Sequence, residues 1–396
     1  MEFKFSDKVA GLKPSAIREI FKSLTNPNVI SFAAGNPSAQ SFPVEKLHKL
    51  ADEIFENEAS FALQYGITEG YMPLREQVKA RMAEKFGIGK DFDDTIIVTG
   101  GQQGIDLTCK VLCNEGDVVI CENPSFIGAL NAFRSTGTKL VGVDVDDDGM
   151  NIESLEKALK ENANAKLIYT IPTFHNPLGI TMSLEKRKAV LALAKKYGVV
   201  ILEDNPYGEL RFAGEDIPTI KSMDDEGIVV YCSSFSKILS AGMRVGFLCG
   251  LNELISKIVV VKQTNDVHTN LFFQMLCSKF IEKYDLDEHI ASIRKIYREK
   301  ASLMLSEMDK CFPEQVKYTR PEGGLFLWVT LPDYVDPTAF IKDTVANDVA
   351  VVPGATFLPD TSMTSHSFRM NYSTPTDEQI VKGVAILGEV LKKHVK

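Results

Sequence analysis

The stretch TIIVTGGQQGIDLTCKVLCNEGDVVICEN, residues 95–123, decides the architecture. A β-branched run breaks at Gly100-Gly101, GIDLTCKVLC follows with apolar residues at helical spacing, and Asn-Glu-Gly turns the chain into a second apolar run. This is a strand, a helix and a strand. The unit recurs outward through FIGALNAFRSTG and KLVGVDVD, IESLEKALKEN and AKLIYTIP, then SLEKRKAVLALAKKYG and VVILEDN, with IVVYCSSF and RVGFLCG closing the series near residue 250. Such alternation calls for a mainly parallel sheet covered by helices on both faces, and unbroken runs such as VVIL (199–202) fit strands buried on both sides. The predicted fold is α/β: a large, doubly wound domain over residues 46–285 and a smaller α+β domain. The latter takes residues 286–396 together with 1–45, which hold too few elements to fold alone. Helical patterns at 251–283 and 287–310 precede strand-like GGLFLWVTLP, a helix at PTAFIKDTVAND, strands AVVPG and SFRMNYS, and a closing helix from Asp377.

Composition narrows the functional classes. The chain has 396 residues, 44% apolar and 24% charged, and 53 acidic against 44 basic residues leave a net charge of -9. No Lys/Arg block offers a footprint for a phosphate backbone, so nucleic acid is not an expected partner. No apolar run reaches the ~20 residues that span a bilayer, and MEFKFSDKVAGLKP lacks the apolar centre of a signal peptide, so a cytoplasmic protein without membrane contact is expected. Seven scattered cysteines without a CxxC pair read as reduced thiols, with Cys109 and Cys113 in a helical core pattern. Six histidines without HxH or HxxxH spacing give no metal site.

In open α/β sheets ligands bind outside the carboxyl ends of the strands. Those ends carry Gly100, Gly101 and Gln102 opening a helix, then Asn123-Pro-Ser-Phe126, His175-Asn176-Pro, Asp204-Asn-Pro-Tyr207, and Ser233-Ser234-Phe-Ser236-Lys237 with Arg244 seven residues on. Taken singly, each has an ordinary structural explanation. Together they form one kit. A helix N-terminus, two hydroxyls and a guanidinium suit a phosphate monoester. Phe126 can lie against a planar ring, Asp204 can keep a ring nitrogen protonated, Asn176 and Tyr207 can hold a phenolate oxygen, and Lys237 can condense with an aldehyde. Pyridoxal 5'-phosphate has all of these features.

With these residues in view, the chain resembles the class I/II, fold-type-I aminotransferases over nearly its whole length. The resemblance runs through GLKPSAIREI, VISFAAGNPS, LQYGITEGYMPLREQV, TGGQQGID, HNPLG, EDNPYGELRF, SSFSKILSAGMRVG, GGLFLWVTLP and SFRMNYS. Ser-x-Ser-Lys-x6-Arg-x-Gly at 234–246, with Asn-Pro and Asp-x-x-Tyr upstream, is its most specific part. The IREI helix followed by ISFA-x-G-x-P is similar to the α-aminoadipate/kynurenine-type and aromatic subgroup. The resemblance implies Lys237, Asp204 and Tyr207 as catalytic residues. It also implies a homodimer whose shared sites are completed by the neighbour's Tyr65 at the cofactor phosphate. Arg369 would hold the substrate α-carboxylate, assisted by Asn176 and the backbone at Gly35. Many relatives have tyrosine where Phe126 stands and serine where Gly101 stands, which shifts phosphate binding toward backbone amides.

The expected activity is therefore transfer of an amino group from an amino acid to a 2-oxo acid such as 2-oxoglutarate, in ping-pong order with Lys237 as the base. A PLP-dependent β-lyase or related cyclising lyase would use the same lysine. An aminotransferase-like sensor fused to a DNA-binding module is a further alternative, for which the chain start at the aminotransferase N-terminal helix leaves no room. Arg18, in the segment that closes over the side chain in the resembling subgroup, would suit a dicarboxylate donor or swing aside for an aromatic one.

Overall fold

The computed structural model describes residues 3–6, 8 and 29–396; the whole of GLKPSAIREI, with Arg18, lies outside them. The chain is described from a short strand, β1 (Ile30–Ser31), through helices α1 (Val44–Asn57), α2 (Ala59–Ala62) and α3 (Met72–Phe86). It then enters the repeating part: β2 (Asp93–Val98), α4 (Gly101–Leu112), β3 (Val118–Glu122), α5 (Ile127–Ser135) and β4 (Lys139–Val143). A small antiparallel hairpin, β5 (Val145–Asp146) and β6 (Gly149–Met150), precedes α6 (Ile152–Glu161), β7 (Ala165–Thr170), α7 (Leu184–Tyr197) and β8 (Val200–Asp204). The strands β9 (Val229–Ser234) and β10 (Gly246–Leu251) close the series.

These strands form a seven-stranded sheet in the order β2-β10-β9-β8-β7-β3-β4, parallel except for β10, which is antiparallel to both neighbours. Alternate strand residues face opposite helix layers, as the pleat requires. Ile96, Val98, Val119, Leu167, Leu202 and Leu248 pack with α4 and α5, whereas Val118, Ile120, Ile168 and Ile201 pack with α6 and α7. Burying each such side chain is worth ~1.5–3 kcal/mol, which is why the helices lie flat on the sheet. One position is cut to fit: a Cβ on Gly104 would stand 2.8 Å from Leu248 Cδ2 and 3.0 Å from Cys232 Sγ, so glycine lets α4 settle over β9 and β10.

The remaining elements are α8 (Asn252–Asn265), α9 (Leu271–Lys283), α10 (Leu286–Cys311), β11 (Lys317–Tyr318), β12 (Phe326–Thr330) and α11 (Pro337–Ala346). They end with β13 (Val349–Ala350), β14 (Val352–Pro353), β15 (Ser367–Asn371) and α12 (Asp377–His394), the last opened by a Thr376/Gln379 capping box. A four-stranded antiparallel sheet, β11-β12-β15-β14, carries Arg369 on an inner strand, and β1 pairs in parallel with β13.

The single helix expected over 251–283 is two helices. Asp266 folds back to accept from Lys262, Thr99 and Gln103, Val267 takes a left-handed φ of 65°, and Asn270 caps α9 by accepting from Phe273 N. The strand expected at AVVPG is likewise split, its two halves pairing with different partners. All seven cysteines are free, and Cys113 is half-buried rather than in the core.

Candidate active site

The carboxyl ends of β3, β7, β8 and β9 and the start of α4 open into one cavity of about 460 Å³. It gathers Gly35, Gly101, Gln102, Phe126, Asn176, Asp204, Tyr207, Ser234, Ser236, Lys237, Arg244 and Arg369, twelve of the residues singled out from the sequence. Tyr65 is not among its walls. That side chain is 79% exposed, its ring edge-on to His268 at 5.8 Å.

At one end two hydroxyls and a guanidinium gather beside a helix start, chemistry suited to an anion. Ser234 Oγ donates to Ser236 Oγ at 2.7 Å, and Arg244 Nη1 donates to the same Ser236 Oγ at 3.2 Å. Arg244 has a left-handed φ of 55°, and Gly100, at φ 72°, precedes the first turn of α4. A Cβ on Gly100 would collide with the Arg244 guanidinium, so only glycine lets that charge lie against the helix start. Gln102 belongs to the wall, but its amide donates to Gly128 O at 2.9 Å.

Deeper in, Asp204 is 4% exposed, and its Oδ2 accepts from Tyr169 Oη at 2.7 Å. Burial, reinforced by the nearby Glu122 charge and opposed by the Tyr169 hydrogen bond, pushes its carboxyl up to about 7. A buried carboxylate so placed calls for a cation, and a protonated ring nitrogen would supply one. Tyr207 Oη accepts from Asn176 Nδ2 at 3.5 Å, and burial raises its hydroxyl well above the usual phenol range.

Lys237 Nζ donates to Gly35 O at 2.7 Å. Burial, with Arg369 and Arg244 adding repulsion, lowers its ammonium to about 8, which brings a free amine within reach of neutral pH. The Gly35 carbonyl is thus engaged by the lysine.

Arg369 is 2% exposed and held by four contacts. Nη1 donates to Asn176 Oδ1 at 2.8 Å and Nη2 to Ala33 O at 3.0 Å, while the guanidinium carbon lies 4.1 Å from the Phe326 ring centroid and 5.0 Å from that of Phe357. Its Nε has no partner among the described residues, an unmet donor suited to a carboxylate. The segment carrying Ala33 and Gly35 is laid along the small sheet by Phe32 N donating to Ala350 O and Asn371 N to Phe32 O, both at 2.8 Å.

Sequence reading missed Asn36, Ile105, Ile171, Pro206 and Phe326 in the wall, and Tyr169 behind it. Phe326 is the first residue of β12, within the strand-like GGLFLWVTLP, a signal that marks the strand without marking the cavity. Nothing local distinguishes Tyr169; its role follows from the pairing of β7 with β8, which brings it beside Asp204. Among the described residues no group of three or more His, Cys, Asp or Glu is arranged to hold a metal, and no helix is long and apolar enough to cross a membrane.

A lysine amine, a buried carboxylate and an anion corner in one cavity of a doubly wound sheet fit pyridoxal 5'-phosphate, and the fold and cavity together define a PLP-dependent enzyme of fold type I. Residues 27–387 match the family aminotransferase class I and II, and the chain belongs to it. It is 40% identical over 396 residues to aromatic-amino-acid aminotransferase 1 of Thermococcus litoralis, covering 99% of this chain and 95% of that protein. It is 37% identical over 391 residues to 2-aminoadipate transaminase of Thermus thermophilus, covering 98% and 96%. The crystal structure of Pyrococcus horikoshii kynurenine aminotransferase in complex with PMP superimposes with a TM-score of 0.95 at 38% identity, covering 99% of this chain and 98% of that one. The chain is a transaminase, and its cofactor is pyridoxal phosphate.

Proposed function

We propose that this transaminase takes amino groups from donors with acidic or aromatic side chains and passes them to a 2-oxo acid, with 2-oxoglutarate as acceptor, in ping-pong order. The observation that carries the reading is one cavity in which Lys237 Nζ, the Asp204 carboxylate and the Arg369 guanidinium face the same space. Bound there, pyridoxal phosphate supplies an aldehyde that carries the amino group and a ring that accepts electrons.

The chain's own residues do the rest. Arg369, packed against the Phe326 and Phe357 rings, takes the substrate α-carboxylate and so orients the Cα hydrogen toward Lys237. Lys237 Nζ, with its lowered pKa, accepts that proton and later returns it. Asp204 would keep a proton on the ring nitrogen, and Tyr169 keeps the carboxylate aligned. Asn176 and Tyr207 would hold the phenolate oxygen. Gly101, Gln102, Ser234, Ser236 and Arg244 would hold the phosphate, and Phe126 would lie against the ring.

A homodimer completes the site in this reading. Phe55, Phe61, Leu63, Tyr65, Ile67, Met72, Val260 and Val267 are large apolar side chains left exposed on the single chain. A second copy would cover them and bring Tyr65 to the neighbour's phosphate corner. We also take residues 46–285 as a large domain and 1–45 with 286–396 as a small one, the division into which the two main sheets fall. A cytoplasmic location accords with the free thiols.

Borohydride reduction of the loaded protein should fix cofactor to the Lys237 peptide. A panel of amino donors with 2-oxoglutarate then tests the substrates, run on wild type and Arg18→Ala. Acidic donors should lose at least about tenfold more than aliphatic ones if Arg18 reads a distal carboxylate. Oxo-acid release without an acceptor, beyond one turnover, would favour a lyase instead.

A further inference from the structure

Behind the cavity wall lies a carboxylate that none of these steps uses. Glu122, the last residue of β3, is 1% exposed. Its Oε1 accepts from Thr170 Oγ1 at 2.7 Å, and its Oε2 accepts from Ile171 N at 3.0 Å and from His175 Nε2 at 3.1 Å. His175 is 2% exposed, and its Nδ1 accepts from Leu178 N at 3.4 Å, so the ring is assigned as a donor at Nε2. Burying a carboxylate is unfavourable unless its lone pairs find donors, and here three converge on it. All three come from one place, the point where β7 gives way to the loop that carries Asn176.

Asn176 is what that loop presents to Arg369. Two phenyl rings lie 4.1 and 5.0 Å from the guanidinium carbon, and among the described residues its hydrogen bonds go to Asn176 Oδ1 and Ala33 O, which set its direction. We propose, on the reading of Arg369 as the carboxylate clamp, that Glu122 is a positioning residue for it: through His175 it fixes Asn176, and Asn176 fixes the guanidinium. The chain of contacts is continuous, from Glu122 to His175, one peptide bond to Asn176, and on to Arg369 at 2.8 Å.

The test measures binding of 3-phenylpropanoate, a carboxylic acid with no amino group to react, to the cofactor-loaded protein by calorimetry, alongside donor KM and kcat. His175→Phe keeps a ring but removes the donor, and Glu122→Gln keeps the volume but removes the charge. Each should weaken the acid about tenfold and raise donor KM comparably, with kcat changed less. His175→Gln, which restores an N–H toward Glu122, should recover most of the loss. In an Asn176→Ala background Glu122→Gln should add less than about twofold, because the contact it acts through is gone. A full effect of Glu122→Gln in that background would overturn the proposal. So would unchanged acid affinity in both His175→Phe and Glu122→Gln. If His175→Phe does not fold, as judged by urea midpoint, Glu122→Gln alone decides. Arg369→Ala is measured in parallel: if it leaves acid affinity unchanged, the clamp itself is refuted and the proposal with it, whereas weakened binding there with no effect at Glu122 refutes the positioning role alone.

Discussion

Replacing Lys237 by methionine should make the apoprotein more stable at neutral pH, and the gain should vanish in alkali. In the folded chain the Lys237 ammonium is lowered from 10.5 to about 8. Below the folded value both states carry the charge, and the folded state bears the whole penalty, roughly 3 kcal/mol for a fall from 10.5 to about 8. The bond to Gly35 O, worth ~1 kcal/mol, reduces the expected net gain of Lys237→Met to about 2 kcal/mol at pH 7. As pH rises through about 8 the folded lysine sheds its proton while the unfolded one keeps it up to 10.5, so wild type recovers stability over that window. By pH 10 the two proteins should differ by less than ~1 kcal/mol. Urea titrations of both apoproteins at matched concentration, at pH 7, 8.5 and 10, give the difference directly, since other groups titrate alike in the two. A pH-independent difference, or a variant less stable than wild type at pH 7, would refute the reasoning.

Other expectations address separate parts of the site. Asp204→Asn should slow the half-reaction with a good donor by about a hundredfold or more, read by stopped-flow absorbance; wild-type rates would make that carboxylate structural. Arg369→Ala should raise donor KM about 10- to 100-fold with a smaller change in kcat, measured at saturating acceptor. Gly100→Ala should weaken cofactor binding, followed by fluorescence quenching, because the added methyl displaces the Arg244 guanidinium and the residue's φ of 72° is strained for alanine. Mixing Lys237→Ala with Tyr65→Ala subunits should restore about a quarter of all sites if Tyr65 serves the neighbour, and only average the parents if it serves its own chain.

How much could be read from the sequence follows from where each property resides. The strands of the large sheet are unbroken apolar runs, and their carboxyl ends are adjacent in any doubly wound arrangement, so Gly101, Asn176, Asp204 and Lys237 could be grouped before any pairing was known. Strand order is a tertiary fact. Tyr169 meets Asp204, and Glu122 meets His175, only because β7 lies between β8 and β3. The break at 266–270 hides inside a helical pattern because its cause, the Asp266 carboxylate turning back to Lys262, Thr99 and Gln103, involves partners up to 167 residues away. Phe326 and Asn36 reach the cavity from the small sheet and the N-terminal segment, whose approach to the large sheet no local spacing encodes.

The route of the chain through the cavity also sets a clock on its synthesis. All strands of the seven-stranded sheet have been made once Leu251 is added, and with them Asp204, Ser234, Ser236, Lys237 and Arg244. Arg369 follows roughly 120 residues later, which at ~5–20 residues per second is about 6 to 24 seconds of translation. Until then Ile30 and Ser31 lack their partners at Val349 and Ala350, and Gly35 lacks the support that holds it over the lysine. The residues assigned to the cofactor are thus all in the chain before the residue assigned to the substrate carboxylate.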